Sequence, residues 1–121
     1  MCPLDDRKIT DMLRRTLARF GIDPYLMALV ATVAVAGVLS ALLVNDTVCL
    51  MMTPLVLAMV EDAELPPLPY LLGVAFGANA GSAATITGNP QNMIVGTLSG
   101  IPYRAFAGAL VLPALASLAI V

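Results

Sequence analysis

Thirty-nine consecutive residues, 65–103, carry no charged side chain, yet the middle of that run reads "TITGNPQN" at residues 85–92. A helix crosses a bilayer with roughly 20 apolar residues, and neither Gly88 nor Pro90 favours a helix interior. Proline removes a backbone hydrogen bond, clashes with the carbonyl one turn earlier and pushes the preceding residue out of helical geometry. Residues 85–92 are therefore expected to interrupt a helix. In hydrocarbon an exposed interruption leaves amides and carbonyls with no water, so it must be buried in protein or line a cavity. A simple kink needs one such residue, whereas here every residue but Ile86 is polar, Gly or Pro.

The rest of the chain agrees with a bilayer setting. Hydrophobic residues make up 60% and charged residues 12% of the 121, too little polar surface to wet a soluble domain. An all-α integral membrane protein is expected. Five of the six basic residues lie at or before Arg19, which by the positive-inside tendency puts the N-terminus in the cytoplasm of a multi-pass protein of the cell inner (plasma) membrane. A net charge of -2 with no later basic cluster argues against a nucleic-acid partner. There is no His, and Cys2 and Cys49 lack metal-site or disulfide-framework spacing, so no enzyme, zinc site or cofactor is expected.

Residues 1–23 read as a cytoplasmic or interfacial segment. Ile9, Met12, Leu13, Leu17 and Phe20 fall near helical spacing, with Arg14, Arg15 and Arg19 beside or opposite them. That pattern fits a helix lying on the membrane surface, or a solvated linker helix. Residues 24–60 contain a single carboxylate, Asp46, within "VNDT". Two full crossings plus a turn need more than about 40 residues, and the limb 48–60 has 13, so a re-entrant hairpin fits better than a pair of spans with Asp46 in headgroup water. A broken helix is expected over 70–99 and a last helix over 104–121. Gly73, Gly77 and Gly81 recur every fourth residue, a stripe that admits close helix packing. Pro54 and Pro113 read as kinks, Thr32 and Thr53 as back-bonded to their own helices, and Asn79 as interhelical glue or a site residue.

Carbonyls freed at the break can coordinate a cation, while the half-helix starting near Gln91 offers amides and a positive dipole end to an anion. At the hairpin tip Asn45 and Thr47 offer neutral oxygens. Asp46 adds a charge that must pair with a cation or take up a proton.

"LLVNDTVCLMMTPLVLAMV" followed by "GVAFGANAGSAATITGNPQNMIVG" resembles the paired motifs of the ion-transporter superfamily, which includes citrate-transporter-like permeases, divalent anion and sodium symporters, arsenite permeases and related sodium/proton antiporters. The resemblance runs from about Arg14 to the end of the sequence. It implies a hairpin and a broken helix that form half of a site near the bilayer midplane, completed by an inverted second repeat or by a second copy of the chain. Carried over residue by residue, it implies sodium ligation by Asn45, Thr47, Gly88 and Asn89. It likewise implies a substrate side lined by Asn45, Asp46, Thr47, Asn89, Pro90 and Asn92. Three departures stand out, one being that the broken loop reads "GNPQN" where many relatives carry a second proline. The dicarboxylate symporters have Ser-Asn-Thr at the tip where this chain has Asn-Asp-Thr, which repels a dianion unless Asp46 is protonated or sodium-paired and points toward the arsenite-permease and antiporter side or toward another anion permease. One copy of the motif pair is present, which fits a permease fragment or truncated product.

The expected function is secondary active transport of an anion, a carboxylate or an oxyanion such as arsenite, coupled to sodium or protons, by a partial permease in contact with membrane lipid. The alternative is a small non-transporting membrane protein or assembly partner that binds other helices through its Gly-rich face.

Overall fold

The computed structural model describes residues 6–19, 21 and 23–121, and every regular element among them is helical. In chain order these are α1 (Asp6–Arg19), α2 (Pro24–Leu42), α3 (Asn45–Asp62), α4 (Pro67–Ser82), a single 3-10 turn (Ile86–Gly88), α5 (Pro90–Ser99) and α6 (Tyr103–Ile120). The side chains of Ile9, Leu13, Arg14, Leu17 and Phe20, on which the amphipathic reading of the first segment leans, lie outside the described residues.

Local chemistry sets the helix ends. Asp23 accepts a hydrogen bond from the Tyr25 amide at 3.0 Å, and Pro24 at the first helical position has no N–H to leave unsatisfied, so α2 starts there. Leu43 and Val44 are extended, and the chain turns directly into α3. α3 begins at Asn45, three residues before the expected second limb, because Asn45, Asp46 and Thr47 are its first turn, where amides need no intrahelical partner; the Val48 amide already donates to Val44 at 3.2 Å. With 19 and 18 residues, α2 and α3 each extend over about 28 Å, close to the roughly 30 Å hydrocarbon thickness, so the short second limb that favoured a re-entrant hairpin over two spans is not found. α4 likewise starts at Pro67, ahead of the expected position 70, with proline at its N-terminus. α5 ends where Gly100 adopts φ 65, a left-handed conformation that costs glycine least.

α2 and α6 are long and apolar enough to cross a membrane by length and composition. Pro54 and Pro113 sit inside helices that continue through them. Thr32 and Thr53 bond back to Ala28 and Cys49 at 2.8 and 2.7 Å, as their sequence setting implies.

α4 is the central element and packs on α2, α3 and α6. Val56 and Val60 of α3 and Tyr70 and Val74 of α4 form a buried apolar cluster, backed by Ala28 and Leu29 of α2. Gly73, Gly77 and Gly81 are buried and turned toward α2. A Cβ on Gly77 would stand 2.7 Å from the Val33 carbonyl oxygen, and one on Gly81 would collide with the backbone of Gly37. The stripe is thus filled from within the chain, by α2. Successive glycines meet successive α2 residues in the same direction, so α2 and α4 run parallel with their N-terminal ends level.

The N-terminal ends of this pair are joined by the buried Tyr70 hydroxyl, which donates to the Tyr25 carbonyl at 3.0 Å. Tyr70→Phe keeps the ring in the cluster and removes that bond. It is expected to lower unfolding stability in detergent by about 1 kcal/mol, and no change would mean that the bond is redundant.

Candidate functional site

At the other end of α2 and α4 the two interruptions meet. The Thr85 hydroxyl, in the break after α4, donates to the Ala41 carbonyl in the last turn of α2 at 2.6 Å. The Asn45 side-chain amide, in the first turn of α3, donates to Asn79 Oδ1 on α4 at 3.1 Å. The C-terminal ends of α2 and α4 and the N-terminal ends of α3 and α5 therefore converge on one region, with backbone groups unused by helix ladders.

Side-chain amides organise the break. Asn89 caps α5: its Oδ1 accepts the Asn92 amide at 2.8 Å, and its Nδ2 reaches back to Ser82 Oγ at 3.2 Å. Pro90 follows at the first helical position with no N–H. The Asn92 Nδ2 donates to three carbonyls at the end of α4, Ser82 at 3.2 Å, Ala83 at 3.4 Å and Thr85 at 2.8 Å. Gly88 is buried because a Cβ there would collide with the Ser82 backbone. Ser82, itself 1% exposed, donates its hydroxyl to the Asn79 carbonyl at 2.9 Å and so links the break to the Asn79–Asn45 pair.

The expected site residues thus fall into two connected groups. Gly88, Asn89, Pro90 and Asn92 surround the end of α4, while Asn45, Asp46 and Thr47 form the first turn of α3. Asp46 and Thr47 are exposed and Asn45 is half-buried. Asn79, which the sequence reads as interhelical glue or a site residue, connects the groups together with Ser82 and Thr85, which sequence reasoning left out of the site. Thr85 lay within the motif, but its partner is a backbone carbonyl 44 residues away, which no side-chain pattern marks.

The chemistry differs between the groups. At the break, Asn92 already bonds the carbonyls of Ser82, Ala83 and Thr85, the Asn92 amide is capped by Asn89, and Pro90 has no amide to offer. The first turn of α3 has no side-chain cap. Its amides stand beside the Asp46 carboxylate and the Thr47 hydroxyl. There Asn45 Oδ1 is buried without a hydrogen-bond partner, and so is the hydroxyl of Ser40 near the end of α2. A buried acceptor left unpaired costs roughly 1–3 kcal/mol, so oxygen-rich, unsatisfied groups concentrate at the hairpin turn.

The sequence profile of the citrate transporter family matches residues 3–121. The Dictyostelium discoideum protein arsB, whose name places it among transporters, is 40% identical over 72 residues, 60% of this chain and 13% of that protein. The silicon efflux transporter LSI3 of Oryza sativa subsp. japonica is 43% identical over 72 residues, 60% of this chain and 15% of LSI3. Inner membrane protein YbiR of Escherichia coli is 31% identical over 96 residues, 79% of this chain and 26% of YbiR. The chain therefore spans only a small part of the length of these relatives. No solved structure matches it significantly. With the profile covering nearly the whole sequence, the chain belongs to the citrate transporter family of membrane proteins.

Proposed function

We propose that this chain supplies one half of the transport site of a secondary transporter that carries a small oxyanion or its hydroxylated acid, coupled to sodium or protons. In this reading α2 and α3 form a re-entrant hairpin, α4 and α5 are one discontinuous transmembrane helix, and α6 is a further span. The carrying observation is the convergence of the hairpin turn and the helix break, held by the Thr85–Ala41 and Asn45–Asn79 bonds. Two facing interruptions of this kind expose half-helix ends to a solute and its coupling ion near the midplane.

The coupling cation is assigned to the hairpin side, to the unpaired Asn45 Oδ1 and Thr47, with Gly88 and Asn89 facing it. The solute is assigned to Asn45, Asp46, Thr47, Asn89 and Pro90. Asp46 disfavours a dianion and can accept hydrogen bonds from the hydroxyls of a weakly acidic oxyacid, which accords with an arsB and a silicon transporter among the relatives. Asn92 acts from behind, by holding the break in shape. An inverted second repeat, or a second copy of the chain, completes the site, and the N-terminus is cytoplasmic.

The test is uptake of arsenite or silicic acid by vesicles containing the reconstituted protein, under an imposed sodium or proton gradient. Asn45→Ala or Asn89→Ala is expected to reduce gradient-driven uptake at least about tenfold, the loss of roughly 1.4 kcal/mol of binding. Met59→Ala and Leu71→Ala, away from the convergence, are expected to change it less than about twofold. Equal effects in the two groups would remove the site assignment.

A further inference from the structure

The site leaves α1 unexplained. Lys8, Arg15 and Arg19 follow one another at seven and four residues, which at 3.6 residues per turn puts them within roughly 40° of one another on the helix. All three are exposed. With Met12, 64% exposed, and Thr16 they line one shallow groove along α1, in which Asp11 is the single acid. The strip therefore carries three positive charges against one negative.

We propose that this strip is a docking surface for anionic lipid headgroups. Its position supports that occupant. α1 ends at Arg19 and α2, a helix apolar enough to span a membrane, begins at Pro24. The four intervening residues reach at most about 14 Å, so the end of α1 is tethered at the membrane surface. Lys and Arg with flexible apolar stems suit that depth, where each adds an attraction to anionic lipid. The competing occupant within the chain is the acidic turn after α3. Tyr70 bonds to Tyr25, so the start of α4 is level with the start of α2, and Glu61, Asp62 and Glu64 lie at the same end as α1. Those acids are exposed, as are the three basic residues, so the turn does not cover the strip.

The chain has no tryptophan, so Met12→Trp places a single fluorescent reporter beside the strip. In vesicles containing the full chain, adding phosphatidylglycerol to phosphatidylcholine is expected to shift its emission to the blue and to reduce acrylamide quenching several-fold. Replacing both Arg15 and Arg19 with Gln is expected to lower the docked-to-free ratio of α1 roughly 25-fold, about fivefold per charge. Replacing both with Lys is expected to preserve docking. Emission identical in the two lipids, or unaltered by the Gln pair, would overturn the proposal. So would a response confined to Glu61→Gln, Asp62→Asn and Glu64→Gln in phosphatidylcholine alone, which would make the acidic turn the partner.

Discussion

Alanine at position 81 is expected to destabilise the folded chain by about 3 kcal/mol, the upper end of overpacking costs, while alanine at position 108 should be neutral or slightly stabilising. Both glycines lie in helices, and on propensity alone each change to alanine would gain up to about 1 kcal/mol. Their surroundings decide the sign. A Cβ at position 108 meets nothing within 4 Å. At position 81 it meets the Cα, carbonyl carbon and carbonyl oxygen of Gly37, all backbone atoms that no rotamer change can move. Relief requires α2 and α4 to separate, which also unpacks Gly77 from Val33 and strains the Thr85–Ala41 bond at the site. Detergent titration of the two variants, followed by circular dichroism, measures the difference. Similar midpoints for the two would mean that the α2–α4 contact is not a close one.

How much of this could be read beforehand depended on whether a feature declares itself through side-chain type. Gly88 and Pro90 mark the break in sequence and put the next half-helix near Gln91, one residue after the Pro90 start of α5; the Asn89 cap is seen only in three dimensions. The glycine stripe announces a close helix contact, but spacing cannot say with which helix; that α2 fills it follows from Gly37 and Val33 in three dimensions. α3 starts ahead of the limb that hydropathy predicts, because hydropathy counts apolar residues, whereas a first turn can hold Asn45, Asp46 and Thr47 without cost to its hydrogen-bond ladder. The site's internal wiring was the least legible. Thr85 to Ala41, and Asn92 to three carbonyls, are bonds to the backbone, and any residue type presents a carbonyl. Resemblance puts Asn92 on the substrate side; its side-chain amide bonds the carbonyls at the end of α4, contacts that no side-chain pattern marks.

That role gives the second large effect. Asn92→Asp is expected to cost about 1–3 kcal/mol, because it removes a donor shared by three carbonyls: Ser82 keeps Asn89 Nδ2 at 3.4 Å and Thr85 keeps the Gly88 amide at 3.3 Å, while the Ala83 carbonyl is left without one. The last carbonyls of any helix have no intrahelical donor, and here one NH2 group serves Ser82, Ala83 and Thr85 together. A carboxylate of the same shape has nothing to donate. It would set negative oxygen against carbonyl oxygen where Nδ2 now stands 2.8 Å from the Thr85 carbonyl. Asn92→Ala removes the donors without the repulsion and is expected to cost less. The effect should be local, since the α2–α4 packing near Gly73 and Tyr70 does not pass through Asn92. Hydrogen exchange can resolve it: amides over 83–96 should exchange at least about 100-fold faster in Asn92→Asp, a factor equivalent to roughly 2.7 kcal/mol, while those of α2 stay protected. Were Asn92 a substrate ligand and not the brace of the break, the same variant would weaken solute binding and leave exchange over 83–88 unchanged. Because the substitution alters one atom's chemistry and almost no volume, that contrast separates a residue that touches the solute from one that shapes the place where the solute is held.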